Sequence, residues 1–248
     1  HPVAHSFPTR RSSDLQGFIW FGTQGGLNRY DGRDVRVFEH DPFDSQSLPH
    51  NLIQTMYLDP TMDCIWIGTY RGLSRFDIFT EEFTNYRHAE DRPDTLSDDV
   101  VTAIIRGRSE TLWIGTLDGL NRLDTTTESI SRVDGLPHQT VRSLHFDSAG
   151  RLWVGTYGGL AELDPGTGEV LRIVTAAEGL ASNYVMDIHE TDRGTLWLAL
   201  WDGGIARFDV DTGSVENVSL VDNRVYVLNG RENQIGRASC RERVCHRV

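Results

Sequence analysis

The residues of this sequence that could carry out chemistry are few and lie far apart. Asp98 and Asp99 form a pair of carboxylates, but adjacent charges in front of a strand are usually solvated. Asp209-Val-Asp-Thr-Gly213 begins like a calcium loop, yet the later ligands, including a closing glutamate at the twelfth position, are missing. His50 and His138 stand in the matching tetrapeptides Leu-Pro-His-Asn and Leu-Pro-His-Gln, which favours a structural role over a paired metal site. We therefore predict no catalytic residue, no metal site and no cofactor.

The composition excludes several other chemistries. All 24 basic residues are arginine, so lysine Schiff-base, phosphate-loop and kinase-lysine chemistry are ruled out. No Gly-x-Ser-x-Gly elbow, zinc-ligand spacing or phosphate loop occurs. The formal net charge is −12 and the basic cluster lies at the C-terminal end, so we expect neither a nucleic-acid partner nor contact with a membrane. Cys64 is expected to be a buried free thiol.

The two ends of the chain do not read like natural protein. The segment His5–Leu15 back-translates to DNA that resembles a sequencing-library adapter, and the reverse complement of that DNA encodes Ile235–Val244. Two unrelated basic tails would have no reason to be complementary. We therefore predict that residues 1–15 and 235–248 are translated adapter and that the protein proper is residues 16–234.

The elements that position the candidate residues come from a repeat. One copy is Thr111-Leu-Trp-Ile-Gly-Thr-Leu-Asp-Gly-Leu-Asn-Arg-Leu-Asp124, and the copies recur at intervals of 40 to 47 residues. Their leading tryptophans are Trp20, Trp66, Trp113, Trp153 and Trp197. A period of about 40 to 50 residues with short apolar runs and glycine turns is typical of propeller blades. We expect the tryptophans to pack between blades rather than to stack on a ligand.

Each full cycle of the repeat predicts four strands. Around Trp153 these are Val141–Phe146, Leu152–Thr156, Leu160–Leu163 and Val170–Val174, with turns rich in glycine and aspartate between them. A four-stranded antiparallel sheet with such large apolar residues cannot bury its faces alone, so neighbouring blades must cover each other. The sequence therefore predicts an all-β fold, a β-propeller of four-stranded antiparallel blades with about five blades present.

The unit Leu-Trp-Ile-Gly-Thr-x-x-Gly-Leu-x-Arg-Tyr/Phe-Asp closely resembles the two-component regulator propeller repeat. The resemblance covers about 16–234, and the fifth copy departs from it with Ala199-Leu200 in place of Gly-Thr and an additional Trp201. WD and kelch repeats fit less well. The resemblance implies the extracytoplasmic sensor region of a bacterial receptor, either a hybrid two-component histidine kinase or a diguanylate cyclase. It also implies a periplasmic location and a homodimer in the full receptor.

The strand count bears on whether the blades close into a ring. The first blade shows strands two to four but no first strand, and Arg224–Leu228 is predicted to be a first strand without followers. Five tryptophan modules could therefore close into a ring, with Arg224–Leu228 completing the first blade. Because the family normally has seven blades, we favour an open arc of a larger, seven-bladed propeller.

A ligand is expected where two sets of loops meet. In a four-stranded meander the turn between strands two and three shares a face with the connection from strand four to the next blade, and such loops commonly bind ligands. The turns supply Gln24, Tyr70, Arg71, Asp118, Tyr157, Trp201 and Asp202. The connections supply His50, Asn51, Asp98, Asp99, His138, Gln139, Asn183 and Tyr184. We expect a polar, aromatic-rimmed funnel for a small molecule such as a saccharide, or for a partner subunit, although each residue could instead serve turn geometry.

Two functions from different classes remain open. The preferred one is a non-catalytic sensor module whose ligand shifts a receptor between two states. The alternative is a free-standing propeller that serves as a scaffold for protein contacts or carries a lyase-type active site in its channel. The gene downstream distinguishes them, because a membrane helix followed by kinase or cyclase motifs supports the first and a stop codon after the last blade supports the second.

Overall fold

The fold is built almost entirely from strands. The computed structural model describes residues 12–13, 17–220, 224–231 and 234–238, and the one helical element among them is a single 3-10 turn, Ala176–Glu178. The strands form five four-stranded sheets and one hairpin, and each sheet is assembled from strands that are consecutive in the sequence. This meander is the arrangement of a propeller blade, so the all-β propeller prediction is confirmed.

The first two blades lie in the N-terminal part of the chain. The first consists of β1 (Ser12–Ser13), β2 (Ile19–Thr23), β3 (Gly26–Tyr30) and β4 (Val35–Phe38). The second consists of β5 (Ile53–Asp59), β6 (Cys64–Thr69), β7 (Gly72–Asp77) and β8 (Phe83–Tyr86).

Three further blades and a hairpin follow. The third blade consists of β9 (Val101–Arg106), β10 (Thr111–Thr116), β11 (Gly119–Asp124) and β12 (Ile130–Val133). The fourth consists of β13 (Val141–Phe146), β14 (Leu152–Thr156), β15 (Gly159–Leu163) and β16 (Val170–Val174). The fifth consists of β17 (Val185–Asp192), β18 (Thr195–Leu200), β19 (Gly204–Asp209) and β20 (Val215–Val218), and the hairpin pairs β21 (Leu228–Arg231) with β22 (Gln234–Ala238).

Two strand predictions at the chain ends are wrong. The first blade has a first strand, since β1 pairs with β2. Residues 224–227 form no strand, and β21 begins only at Leu228. The physical reason is that this segment is held by separate bonds instead of a ladder: the N–H of Val225 donates to the carbonyl of Leu200 at 3.3 Å, and the N–H of Leu228 donates to Asp187 Oδ2 at 2.9 Å. The adapter boundaries and the open arc stay predictions.

The described chain divides into two compact units. The first ends at Arg132 and the second begins at Val133, except that the short segments Gly107–Ser109 and Asp118–Leu120 belong to the second. The first unit therefore holds the first two blades and most of the third. The second unit holds the fourth and fifth blades and the hairpin.

The repeat tryptophans form the contacts between neighbouring blades within each unit. In the first unit the ring centroid of Trp20 lies 5.4 Å from that of Phe76 on the next blade, edge to face, and Trp66 belongs to one buried cluster with Ile114 of the third blade. In the second unit Trp153 lies 5.7 Å from Phe208 in the same arrangement. Burying such side chains stabilises the fold by roughly 1.5–3 kcal/mol each. Packing between blades, predicted from the sequence, is confirmed for these tryptophans.

Candidate functional site

The glycine of each Gly-Thr pair allows neighbouring blades to approach closely. A Cβ atom on Gly68 would lie 2.6 Å from Thr55 Cγ2 on its own blade and 2.6 Å from Val101 Cγ1 on the next blade. In the second unit, a Cβ atom on Gly155 would lie 2.9 Å from Val185 Cγ1. Such distances are below carbon contact distance, so only glycine fits at these two positions.

The threonine of the pair closes the turn between strands two and three. Thr69 Oγ1 accepts the N–H of Arg71 at 3.0 Å and donates to the carbonyl of Gly72 at 2.9 Å. Thr23 and Thr156 make the same two bonds in their own turns. The repeat therefore fixes the backbone of each turn and leaves the side chains at its tip free to vary.

In the first unit these turns are bonded to the connections between blades. The N–H of Gly72 donates to the carbonyl of Asp99 at 2.7 Å, in the connection that leads to the third blade. The N–H of Leu117 donates to the carbonyl of Val100 at 3.2 Å, directly in front of β9. Turns and connections thus lie side by side, as the meander predicts.

The second unit repeats this arrangement. Its three backbone bonds run from Gly119 N–H to Gln139 O (2.7 Å), from Tyr157 N–H to Thr140 O (3.2 Å) and from Trp201 N–H to Tyr184 O (2.9 Å). We call the surface formed by the turns between strands two and three, together with the connections between blades, the loop face of each unit. All the sequence-predicted site residues belong to these turns and connections.

Several candidate residues of the connections shape the connection itself. His50 Nδ1 and His138 Nδ1 each accept the backbone N–H two residues further on, at 3.0 and 2.9 Å. Asp98 Oδ1 makes the same bond at 2.7 Å. Two histidines and an aspartate thus make one bond at equivalent repeat positions, which shows that each shapes the backbone of its connection.

A second group of candidates closes the connections. Asn51 Oδ1, Asp99 Oδ1 and Asn183 Oδ1 accept the backbone N–H groups near the start of their connections, at 2.6, 2.8 and 2.7 Å. The first two of these N–H groups belong to His40 and His88, which the sequence analysis did not single out. Each of these histidines also places Nδ1 2.7 Å from a leucine carbonyl eight residues on. Their equal positions after the fourth strand are the signal that could have found them.

The remaining candidates present side chains to solvent at the loop face. Tyr70 and Tyr184 are 41% and 47% exposed, and Tyr157 and Trp201 are half-buried. The exposed polar candidates are Gln24, Arg71, Asp118, Gln139 and Asp202. Binding by any of these residues stays a prediction.

Aromatic side chains are concentrated on the loop face of the second unit. The ring of Tyr157 lies 6.0 Å from that of His138 and 5.1 Å from that of Tyr184, with the two tyrosines edge to face. Trp201 lies 4.8 Å from Tyr226, also edge to face. Tyr226 was missed because the segment was interpreted as a strand of another blade. Rings fixed in this way can pack against an apolar face of a ligand and still offer hydroxyl groups for hydrogen bonding.

A cleft of about 410 Å³ opens on the first unit. It is lined by the connection from β4 to β5 together with two arginines, and its lining residues are His40, Asp41, Pro42, Phe43, Asp44, Ser45, Ser47, Pro49, Arg71 and Arg87. Of these, only Arg71 was a sequence candidate. Phe43 is 97% exposed, and its presence in an otherwise polar stretch is the signal that could have found it.

His50, on the loop face of the first unit, lies near other basic groups. Burial lowers the pKa of His50, and the neighbouring Arg71 and His40 lower the pKa further. The ring of His50 lies 6.1 Å from that of Tyr70. A histidine in this setting favours its neutral form, which suits its role as an acceptor from the backbone.

The aspartate that ends each repeat is a turn acceptor. Asp209 Oδ1 accepts the N–H and the hydroxyl of Thr212 at 2.8 and 2.7 Å, so the calcium-like Asp-x-Asp segment is shaped by an ordinary turn. Hydrogen bonds from the backbone likewise lower the pKa of Asp124 and Asp164.

In the part of the chain that the structure describes, no group of three or more His, Cys, Asp or Glu residues is placed to hold a metal ion. Burial raises the pKa of the Cys64 thiol to about 12, consistent with the predicted buried thiol.

These features define a class of protein, a β-propeller of four-stranded blades whose Gly-Thr turns lie beside the connections between blades. The family model described as two component regulator propeller matches residues 135–158, which include the connection into the fourth blade, Trp153 and the turn at Tyr157. The chain therefore carries the two-component regulator propeller repeat, and the resemblance predicted from the sequence is confirmed.

The chain is also similar to several solved structures. The extracellular domain described for a hybrid two component system, BT3049 from B. thetaiotaomicron, is 28% identical with a TM-score of 0.75 over 88% of this chain. The extracellular domain described for a one component system, BT4673 from the same organism, is 21% identical with a TM-score of 0.70 over 92% of this chain. Virginiamycin B lyase from Staphylococcus aureus is 15% identical with a TM-score of 0.66, over 89% of this chain and 72% of the lyase. The likeness to the last two shows the fold alone.

The length of the matched regions limits what the similarity says about a whole protein. The chain spans 30% of the length of the BT3049 structure and 30% of the BT4673 structure. A search of curated protein sequences finds no match. Among the described residues, no helix is long and apolar enough to cross a membrane. The chain is homologous to the extracellular domains of two-component systems.

Proposed function

We propose that this chain is part of the extracytoplasmic, ligand-binding sensor region of a bacterial membrane receptor of the two-component class. The observation that carries the proposal is the propeller repeat combined with 28% identity over 88% of the chain to the extracellular domain of BT3049. From the same similarity we also propose a periplasmic location, a homodimer, and an output by a histidine kinase or a diguanylate cyclase. The propeller itself is proposed to be non-catalytic.

The ligand is proposed to bind at the loop face. The two hydrogen bonds of the repeat threonine hold the turn backbones in place. Arg71, Asp118 and Trp201 occupy tip positions whose side chains the repeat does not dictate. The tyrosines of the second unit provide rings that suit the apolar face of a small molecule such as a saccharide. Signalling requires the ligand to bind one receptor state more tightly than the other.

A binding screen tests the ligand site. The purified chain is screened against small molecules and oligosaccharides by thermal shift, and each ligand found is titrated by calorimetry against the variants Arg71→Ala, Asp118→Ala and Trp201→Ala. We expect at least one variant to weaken the binding of each ligand by about tenfold, which corresponds to about 1.4 kcal/mol. Arg193→Ala, in the exposed turn between β17 and β18, is the control and should leave affinity unchanged. A ligand whose affinity is the same in all three variants would remove the loop face from the proposal.

A further inference from the structure

Two arginines of the second blade depart from the other copies of the repeat. Arg71 is the second tip residue of its turn, and Arg87 follows directly after the fourth strand, β8. The third blade has Asp118 and Asp134 at these same two positions of the repeat. Because the blade forms with either charge, its architecture does not require arginine at either position. The pair therefore calls for an explanation other than folding.

Both arginines line the cleft on the first unit. A Cβ atom on Gly72 would lie 3.2 Å from Arg87 Cγ, so the stem of Arg87 runs alongside the turn that carries Arg71. Among the described residues, neither guanidinium lies within 4.0 Å of a carboxylate oxygen, whereas the strand arginines Arg29 and Arg106 of the same unit are ion-paired. An unpaired guanidinium keeps its donors available for an anion from outside.

The two carboxylates of the cleft are engaged in shaping its wall. Asp41 Oδ1 accepts the N–H of Phe43, and Asp44 Oδ1 accepts the N–H of Gln46, each at 2.9 Å. Ser47 Oγ accepts the N–H of Asp41 at 2.9 Å and donates to the carbonyl of Asp44 at 2.8 Å. These bonds order this part of the cleft's wall before any ligand arrives, which reduces the entropy lost on binding.

The wall is also fixed from the second blade. Asn85 Nδ2 donates to the carbonyls of Ser45 and Ser47 at 3.1 and 2.9 Å, and Asn85 Oδ1 accepts the hydroxyl of Ser74 at 2.7 Å. Phe43 stands at the tip of this ordered wall with its side chain in solvent, at 97% exposure. A large apolar ring held in water beside two unpaired guanidinium groups can contact the apolar body of an anionic ligand.

We propose that this cleft binds the oxyanion group, carboxylate or sulfate, of a small extracellular ligand. Arg71 and Arg87 donate to its oxygens, and Phe43 packs against the rest of the molecule. Guanidinium groups match the geometry of such oxyanions by paired N–H donors, and charge-assisted bonds of this kind are the strong ones. The inference rests on the proposed sensor function, since it names the chemical class of the ligand.

Titration of the purified chain with sulfate, glucuronate and glucose tests the proposal. We expect saturable binding of glucuronate, of sulfate or of both, followed by the amide signals of the Arg71 turn in NMR spectra, and no binding of glucose at the same concentrations. The double variant Arg71→Asp with Arg87→Asp should weaken anion binding at least tenfold. Since Asp118 and Asp134 occupy these positions in another blade, the double variant should unfold at a temperature close to that of the parent.

Two matched variants complete the experiment. Phe43→Ala should weaken the binding of glucuronate and leave that of sulfate unchanged, because sulfate has no apolar body. Arg193→Ala removes one charge from an exposed arginine in the β17–β18 turn and should change nothing. Binding of glucuronate alone assigns the site to carboxylates, and binding of sulfate as well assigns it to oxyanions in general.

Several results would overturn the inference. These are the absence of saturable anion binding, equal binding of glucose and glucuronate, and undiminished anion affinity in the double aspartate variant. Glucuronate affinity that is unchanged in Phe43→Ala would remove the aromatic contact from it. The proposed sensor function fails separately, because a neutral ligand that depends on Asp118 or Trp201 would uphold that function while this inference falls.

Discussion

At the scale of the residue, the repeat separates positions that build the blade from positions that are free to differ. Gly68 is required by the close contact with the next blade. Thr69 is required by the hydrogen bond that closes the turn. Tyr70 and Arg71, directly after them, meet no such requirement and are exposed. The positions that can carry a specific function are therefore those that follow the motif.

The first prediction concerns the close approach at Gly68. Gly68→Ala should lower the free energy of unfolding by about 1–3 kcal/mol, because the added methyl group would overlap Thr55 Cγ2 and Val101 Cγ1. Urea unfolding followed by tryptophan fluorescence measures the change. The matched control is Gly25→Ala, where the nearest atom to the new Cβ, Thr23 Oγ1, is 3.7 Å away and the change should stay within about 0.5 kcal/mol. Equal effects of the two substitutions would contradict the packing role.

The second prediction concerns the aspartates that accept backbone N–H groups in the turns. Hydrogen bonds from Thr167 and Gly166 lower the pKa of Asp164 below its ordinary value of 3.8. A lowered folded-state pKa gives stability that is complete above the unfolded pKa and is lost as the pH falls through the folded pKa. The melting temperature should therefore be steady above about pH 5 and decrease below about pH 4.

A substitution assigns that loss to the turns. Asp164→Asn keeps an acceptor oxygen without the titrating charge, so the melting temperature should depend less on pH between about 5 and 2. Asp134→Asn, at an exposed aspartate outside these turns, is the control and should preserve the parent's profile. An Asp164→Asn profile identical to that of the parent would contradict the assignment.

At the scale of the element, strands were predictable and loop anchors were not. The ends of β13, β14 and β16 match the sequence prediction because glycine and aspartate turns bound each strand locally. The residues that hold the connections lie far away in the chain: Asn85 bonds to Ser47 and Asn217 bonds to Gly179, each 38 residues earlier. Neither bond leaves a local pattern, so a reading of short segments cannot find it.

The third prediction follows from the anchor at Asn85. Asn85→Ala should speed amide hydrogen exchange in residues 41–47 by roughly thirtyfold, because two bonds worth about 1 kcal/mol each are lost. Mass-resolved exchange of the intact chain measures this. Thr84→Ala, at the exposed neighbouring position, should leave exchange in the same segment unchanged. Unchanged exchange in Asn85→Ala would show that the connection orders itself.

At the scale of the whole molecule, repetition explains why the sequence predicted the class of protein but not its ligand. The same four-stranded blade occurs five times. The fold, and the position of the turns beside the connections, therefore follow from the order of the strands. Phe43, Arg87 and Tyr226 do not recur in the other blades, so no repeat pattern predicts them. Only the structure places Phe43 and Arg87 at the cleft and Tyr226 beside Trp201. The segment 224–227 was misjudged for the same reason, since it copies the composition of a strand without belonging to a complete repeat.

The central claim is that this propeller belongs to the extracytoplasmic part of a membrane receptor. Sequencing the gene on both sides of the region that encodes residues 16–234 tests it most directly. We predict further propeller repeats, then a membrane-spanning helix, and then histidine-kinase or diguanylate-cyclase motifs. A stop codon directly after the last blade, with no membrane helix on either side, would contradict the claim and favour a free-standing propeller.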